Sequence, residues 1–199
     1  MTLVPRHRLE DMRRLIVSEF VTLDGVMEAP GGEPGHPHSG WVFDHMGPEQ
    51  EQYKLDEVLA AESLLLGRVT YEGFSAAWPS VEGPFGDAMN SMPKHVASTT
   101  LRDPTWNATV LTGDVPEAVQ SLKDSDGGPI LVAGSCTLVH TLLLEGLLDE
   151  LRLMLFPVSI GDGLRVFPEE RTKLSWRLGA HETFPSGVLA LTYLPASAP

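Results

Sequence analysis

The sequence predicts an α/β domain: a mostly parallel central sheet, helices on both faces, and an antiparallel hairpin at the C-terminal end. Three observations carry that expectation. Between residues 109 and 146 apolar runs and helix-period segments alternate strictly, as TVLT (109–112), VPEAVQSLK (115–123), ILVA (130–133) and SCTLVHTLLLEG (135–146). SLLLG (63–67) and ILVA are apolar or small throughout, as strands of a parallel sheet buried on both faces must be. Residues 174–194 read as two strands flanking the turn Pro185-Ser186-Gly187.

The remaining elements follow in order. LIVSEF (15–20) is a short strand, and the turn-like TLDG (22–25) follows it. Residues 29–40 form a loop rich in glycine, proline and histidine, long enough to suggest a binding loop. GPEQEQYKLDEVLAAE (47–62) reads as a helix with Pro48 near its start and acids in its first turn. Tyr53, Leu55, Val58, Leu59 and Ala61 would form its apolar face. TYEGFSAAW (70–78) is a helix that Pro79 ends, FGDAMNSM (85–92) is helical, and KHVAST (94–99) is a strand. In SCTLVHTLLLEG the pairs Leu138/Leu142 and Val139/Leu143 mark the packed face, with Ser135 as a cap and Gly146 as the stop. ELRLMLFPV (150–158) is a strand. No internal repeat or linker divides the chain, so residues 13–195 form one domain, preceded by a flexible extension over residues 1–12 in which Met12 offers an alternative start.

Composition excludes several classes of function. Against 27 acidic residues stand 14 basic ones, a formal charge of −13 that disfavours nucleic acid as a partner. No apolar run is long enough for a membrane span, and MTLVPRHRLEDMRRL lacks the apolar core of a signal peptide. One cysteine, Cys136, cannot staple a secreted fold, so a cytoplasmic location is expected. No metal site is expected: His36, His38 and His45 match no standard ligand spacing and have no thiolate partner.

In open α/β sheets ligands bind beyond the carboxyl ends of the strands. Three such ends carry hydrogen-bonding groups: Gly67-Arg68-Val69-Thr70, Ser98-Thr99 and Ala133-Gly134-Ser135. Gly134-Ser135 opens a helix, whose free N–H groups attract phosphate, and Arg68 brings a guanidinium that can grip phosphate through two bonds. Taken singly, Arg68 could equally form a surface ion pair, Gly134 could simply end a strand, and Ser98 and Thr99 could shape a turn. Together the three ends point to one shared anionic ligand. Neither GxGxxG nor a Walker A loop is present.

The order LLLGRVTYEGF, then KHVAST, then VAGSCTL, then LLDELRLMLFPVSIGDGLRVF resembles the dihydrofolate reductase-like superfamily. The similarity is greatest to the reductase domain of bifunctional riboflavin-biosynthesis proteins and its stand-alone bacterial relatives, and it runs from about Arg14 to Leu194. The resemblance implies a dihydrofolate reductase-like three-layer fold and hydride transfer from NADPH to a small pyrimidine- or pteridine-like substrate, and it suggests a homodimer. It also implies residue roles. Gly67, Arg68 and Thr70 would contact cofactor phosphates, Ser98 and Thr99 the adenosine side with its 2′-phosphate, and Gly134 and Ser135 the pyrophosphate. Gly161 and Gly163 would form a turn near the cofactor, while Asp24, Trp41 and Phe167 would border the substrate. Ala133 and Cys136 depart from the glycines that relatives carry nearby, and no zinc-deaminase half is present.

Reduction also needs a proton donor. Glu51 on the first helix, if it faces the sheet, and Asp24 are the two candidates. Each has a plainer explanation, a helix start that complements the dipole and an Asp-Gly turn. Lys54 and Arg165 are the basic residues available for a substrate phosphate. Trp41 either closes over a flat ring or anchors its loop to the core. A dihydrofolate or small-carbonyl reductase, and an NADPH-binding module without turnover, are the alternatives.

Overall fold

The computed structural model describes residues 12–169 and 173–196. Eight strands form one sheet: β1 (Leu15–Thr22), β2 (Ser63–Gly67), β3 (Lys94–Ala97), β4 (Ala108–Leu111), β5 (Ile130–Val132), β6 (Glu150–Phe156), β7 (Trp176–Thr183) and β8 (Leu189–Pro195). Their order is β4-β3-β2-β5-β1-β6-β8-β7. The first six run parallel, and β8 lies antiparallel between β6 and β7. The helices are α1 (Pro48–Leu59), α2 (Arg68–Ala77), α3 (Pro84–Ser91), α4 (Val115–Lys123) and α5 (Cys136–Leu144).

Side-chain alternation along the strands builds two cores. Leu15, Val17, Leu65, Ile130 and Val132 pack with Val119 of α4 and Leu138, Val139, Leu142 and Leu143 of α5. On the opposite face Ile16, Leu64, Leu66, Val96 and Leu131 meet Val58 of α1, Tyr71 of α2 and Met89 of α3. This is the predicted three-layer arrangement, with the antiparallel C-terminal hairpin at one edge. Gly187, at φ +86°, makes the predicted turn between β8 and its partner.

Several element limits differ from those read in the sequence. Strand β3 stops at Ala97, because Ser98 accepts the N–H groups of Thr100 and Leu101 and folds the chain into a turn. Helix α2 begins at Arg68 rather than Thr70, with Gly67 extended just before it. Helix α1 turns Gln50, Glu57 and Val58 inward and leaves Leu59 exposed, so its inner face is more polar than the expected apolar one. Gln50 explains itself: it accepts from the Gly47 N–H and donates to the His45 carbonyl and the Ser186 hydroxyl. All but Met12 of the expected N-terminal extension lies outside the described residues.

A polar hub ties the amino ends of the strands. Arg13, 6 % exposed, donates to the Gly128 carbonyl and the Ser63 hydroxyl and pairs with Glu62. Above the other face, Gly86 of α3 lies against the turn at Val81, where a Cβ would come within 2.0 Å of the Val81 carbonyl oxygen. No side-chain rotation relieves a clash with backbone. Gly86→Ala should therefore destabilise the protein by about 1–3 kcal/mol, read as a lower urea midpoint. An unchanged midpoint would show that α3 and the Val81 turn separate freely.

Candidate functional site

Register places the site. Val17 of β1 and Leu65 of β2 both lie beside Val132 of β5. Two residues further along, Glu19 on β1 and Gly67 on β2 stay on that face of the sheet, and Gly134, two residues past the end of β5, is held beside Glu19 by its N–H bond to that carboxylate. Gly67 also pairs with Ala97 of β3. Three of these four positions carry no side chain or only a methyl group, and Ser135 and Thr70 pack close over Gly67 and Gly134 at the carboxyl end of the sheet, beside the start of α5.

The loop between β5 and α5 is bent for close approach. Gly134 and Ser135 both have positive φ, +61° and +63°. A Cβ on Gly134 would lie 3.0 Å from Thr70 Cγ2 and 3.2 Å from Thr70 Oγ1. Ser135 does not cap α5 with its side chain, as the sequence suggested. Its left-handed backbone places the hydroxyl where it accepts the Gly67 N–H at 2.8 Å, while its own N–H donates to Thr70 Oγ1 at 2.8 Å. Gly67, Thr70, Gly134 and Ser135, predicted to act together, are thus joined in one hydrogen-bonded cradle.

Ser98 and Thr99 lie further along the same edge. With Arg102, Asp103, Thr112 and Gly113 they line an open cleft of about 520 Å³ beyond β3 and β4. Arg102 donates to the carbonyls of Thr99 and Leu101, which holds its guanidinium at the cleft. Arg68 stands at the first position of α2, exposed, where one nitrogen contacts both oxygens of Glu72 at 2.9 and 2.8 Å. The surface ion pair that the sequence left open is present, and it leaves the rest of the guanidinium fork at the sheet edge.

The loops from β1 and β6 close the other end. Asp24 accepts from the Thr22 hydroxyl at 2.6 Å, the Gly161 N–H at 2.7 Å and the Ile160 N–H at 3.3 Å. The Thr22 hydroxyl, aided by those N–H groups, holds the Asp24 carboxyl down at about 2. It is an ionised brace between two loops. Gly163, at φ +122°, fits where a Cβ would come within 2.7 Å of Val26, and the neighbouring Leu164 N–H donates to Glu28. Arg165 donates to the Asp24 carbonyl and Val26 bridges to Arg165, so the two loops are joined along their length. Phe167 is 42 % exposed at their rim. Trp41 takes the anchoring role: it is buried against Phe156, with its indole N–H on the Glu28 carbonyl.

Glu51 is exposed on α1, and the carboxylate that α1 turns toward the sheet is Glu57, one and a half turns later. Lys54 is committed to Glu57 and Ser18, at 2.6 Å each, and Arg152 reaches Glu57 at 3.2 Å. Burial pushes the Glu57 carboxyl up, but Lys54, Ser18 and Arg152 together outweigh it and hold it below its ordinary value.

The residue that sequence reasoning missed at the cradle is Glu19. It is 4 % exposed, and one carboxylate oxygen accepts the Gly134 N–H at 2.9 Å. Burial pushes its pKa well up, against the lowering effect of the Gly134 N–H and Lys54. The signal was an acid in the middle of the apolar run LIVSEF. Arg102 was missed because its place at the cleft depends on the turn after β3.

Residues 13–190 match the family described as the RibD C-terminal domain. The chain belongs to that family. Members of the RibD C-terminal domain family and its structural neighbours share this sheet. The uncharacterized protein YyaP of Bacillus subtilis (strain 168) is 28 % identical over 186 residues, 91 % of this chain and 94 % of YyaP. A protein named for riboflavin biosynthesis from Shewanella sp. PV-4 superposes with a TM-score of 0.72 at 20 % identity, covering 92 % of this chain and 99 % of that one. The diaminohydroxyphosphoribosylaminopyrimidine deaminase/5-amino-6-(5-phosphoribosylamino)uracil reductase of Thermotoga maritima superposes at 0.66 and 15 % identity. It covers 94 % of this chain, which spans 58 % of that protein. A RibD C-terminal domain is what this sheet and hairpin build.

Proposed function

We propose that this RibD C-terminal domain protein is an NADPH-dependent reductase acting on a small pyrimidine- or pteridine-like ring. The observation that carries the reading is the cradle of Gly67, Thr70, Gly134 and Ser135 on the same sheet edge as the Ser98–Arg102 cleft. An elongated ligand with two phosphate-bearing regions fits that arrangement. Its pyrophosphate would lie at the start of α5, against Thr70 and Ser135, and the adenosine end with its 2′-phosphate would lie beside Ser98, Thr99 and Arg102. NADPH, when bound, supplies the hydride. The protein's own part is to hold the dinucleotide flat against Gly67 and Gly134, to keep the loops around Asp24 and Gly161 closed by their mutual hydrogen bonds, and to orient the substrate beneath Phe167. The activity named for the Thermotoga maritima relative, reduction of 5-amino-6-(5-phosphoribosylamino)uracil, is the specific substrate reading. A cytoplasmic homodimer belongs to the same proposal. Among the described residues no helix is long and apolar enough to cross a membrane.

A second reading, an NADPH-binding module without turnover, is favoured by one observation: neither of the expected proton donors is placed as one, since Asp24 is held ionised and Glu51 faces solvent. Steady-state oxidation of NADPH with a panel of pyrimidines, pterins, folates and small carbonyls separates the two. Tight NADPH binding with no turnover on any of them would defeat the reductase reading.

Arg68 supplies a sharper expectation. Its ion pair with Glu72 is exposed, so Arg68→Ala should change stability by less than about 1 kcal/mol. Loss of a charged hydrogen bond to phosphate should instead weaken NADPH binding by about 1.5–3 kcal/mol. NADPH affinity equal to that of the unaltered protein, measured by fluorescence titration, would leave Arg68 with the surface ion pair alone.

A further inference from the structure

We propose that Glu19 couples binding of the dinucleotide's phosphates at the start of α5 to the uptake of one proton by its own carboxylate. This rests on the dinucleotide reading of the cradle and adds a titrating group to it.

Three features of the molecule meet at this residue. Glu19 lies two residues beyond the last β1–β5 pair, and one of its oxygens accepts the Gly134 N–H. Its other oxygen, Oε1, is buried and has no hydrogen-bond partner among the described residues. Helix α5, nine residues long, begins two positions beyond Gly134, so its free N–H groups lie at the same strand ends. An ionised carboxylate in that place would be a buried anion beside a helix start intended for another anion. Two like charges sharing a low-dielectric site cannot both remain ionised without a large cost, and the proton is the cheapest remedy. In the acid form Glu19 keeps its bond to Gly134 and gains an O–H on the oxygen that now lacks a partner.

The neighbours agree with that assignment. The charged groups that act on Glu19 are Lys54 and Glu57 of α1, and its charge in turn reaches Cys136 of α5. Lys54 is already neutralised by Glu57. Burial is the first cause that pushes the Cys136 thiol up to about 11, and Glu19 adds to it only while ionised. Burial already raises the Glu19 pKa in the unliganded protein, so uptake on binding belongs to the alkaline side of the range, where the free protein has given up that proton.

The test is the pH dependence of NADP⁺ affinity between pH 6 and 10, by calorimetry on the intact protein and on Glu19→Gln. The glutamine keeps an acceptor for Gly134 and cannot ionise. The 2′-phosphate and the neighbouring groups titrate in both proteins, so the difference between the two profiles isolates Glu19. Expected for the unaltered protein is a loss of affinity that approaches tenfold per pH unit at the alkaline end, with about one proton taken up per NADP⁺ in buffers of different ionisation enthalpy. Glu19→Gln should lack this component. Identical profiles in the two proteins would overturn the proposal. If the variant does not fold, zero proton uptake by the unaltered protein across the range overturns it alone. No NADP⁺ binding at any pH would instead remove the dinucleotide reading, and the inference with it.

Discussion

Gly134→Val should abolish most NADPH affinity while leaving the rest of the fold in place. Gly134 sits at φ +61°, where a β-branched side chain is a strained outlier, and its Cβ would meet Thr70 at 3.0 Å. Relieving that clash means moving either Thr70 or the loop. Both movements break the cradle, since the Ser135 N–H depends on Thr70 and the Gly67 N–H depends on Ser135. Backbone strain of this kind costs about 1–3 kcal/mol, and the added isopropyl group is directed at Thr70, one of the cradle's own donors and acceptors. The expected loss is tenfold or more in NADPH affinity, which corresponds to about 1.4 kcal/mol or more. Fluorescence titration checks it, with Gly134→Ala giving a smaller loss in the same direction. An unchanged dissociation constant for the valine variant would show that no dinucleotide approaches the sheet there.

The largest stability loss is expected at Glu57. Its carboxylate, 4 % exposed, is the shared partner of Lys54, Arg152 and the Ser18 hydroxyl between α1 and the sheet. Glu57→Ala leaves Lys54 in a half-buried space with its anion gone, and leaves Arg152 with Glu150 as its remaining carboxylate. Removing one partner of a buried ion pair costs about 3–5 kcal/mol, and urea denaturation should show a loss of that size at pH 7. Glu57→Gln should lie between, because it keeps the bond to Ser18 but not the charge. The pH dependence has a definite sign. The Glu57 pKa is lower in the folded protein than its ordinary 4.5, so its stabilisation is complete above 4.5 and fades as pH falls through the folded value. The unaltered protein should therefore lose more stability on acidification than Glu57→Ala does. A variant within 1 kcal/mol of the parent at pH 7 would mean that Lys54 and Arg152 escape to solvent.

Both predictions touch residues whose roles were legible to different degrees. Gly134 was readable because a glycine between an apolar run and a helix is a local signal, and strand ends are where α/β sheets bind ligands. Gly67, Thr70 and Ser135 were readable for the same reason, although their mutual hydrogen bonds were not. Glu57 was not singled out. The first helix carries Glu49, Glu51, Asp56 and Glu57, and only the angle at which α1 lies on the sheet decides which one is buried. Glu51 and Glu57 differ by six residues and stand about 120° apart around a helix, so helical period alone, without the packing angle, does not say which of the two faces the sheet.

Asp24 shows a different limit. An Asp-Gly turn after a strand is visible in sequence, and the Thr22 hydroxyl that does most to hold this carboxyl down is two residues away. The N–H donors of Ile160 and Gly161, more than 130 positions away, are what make it a brace between two loops. Trp41 was undecided between a ring-stacking lid and an anchor, and its burial against Phe156 depends on β6, which no local pattern around Trp41 reports.

By itself the sequence determined the α/β class, the run of elements, the hairpin and the three strand ends that bear the cradle and cleft. Those follow from hydrophobic period, glycine placement and helix-start chemistry, which act over a few neighbouring residues. Only the tertiary structure decided that Glu19 lies beside Gly134 with one oxygen unpartnered among the described residues, that Glu57 rather than Glu51 faces inward, and that Arg102 stands at the cleft. Each depends on register or packing between segments far apart in the chain. A carboxylate's chemistry is set by the partners that reach it and the water that does not, and both are properties of the assembled sheet.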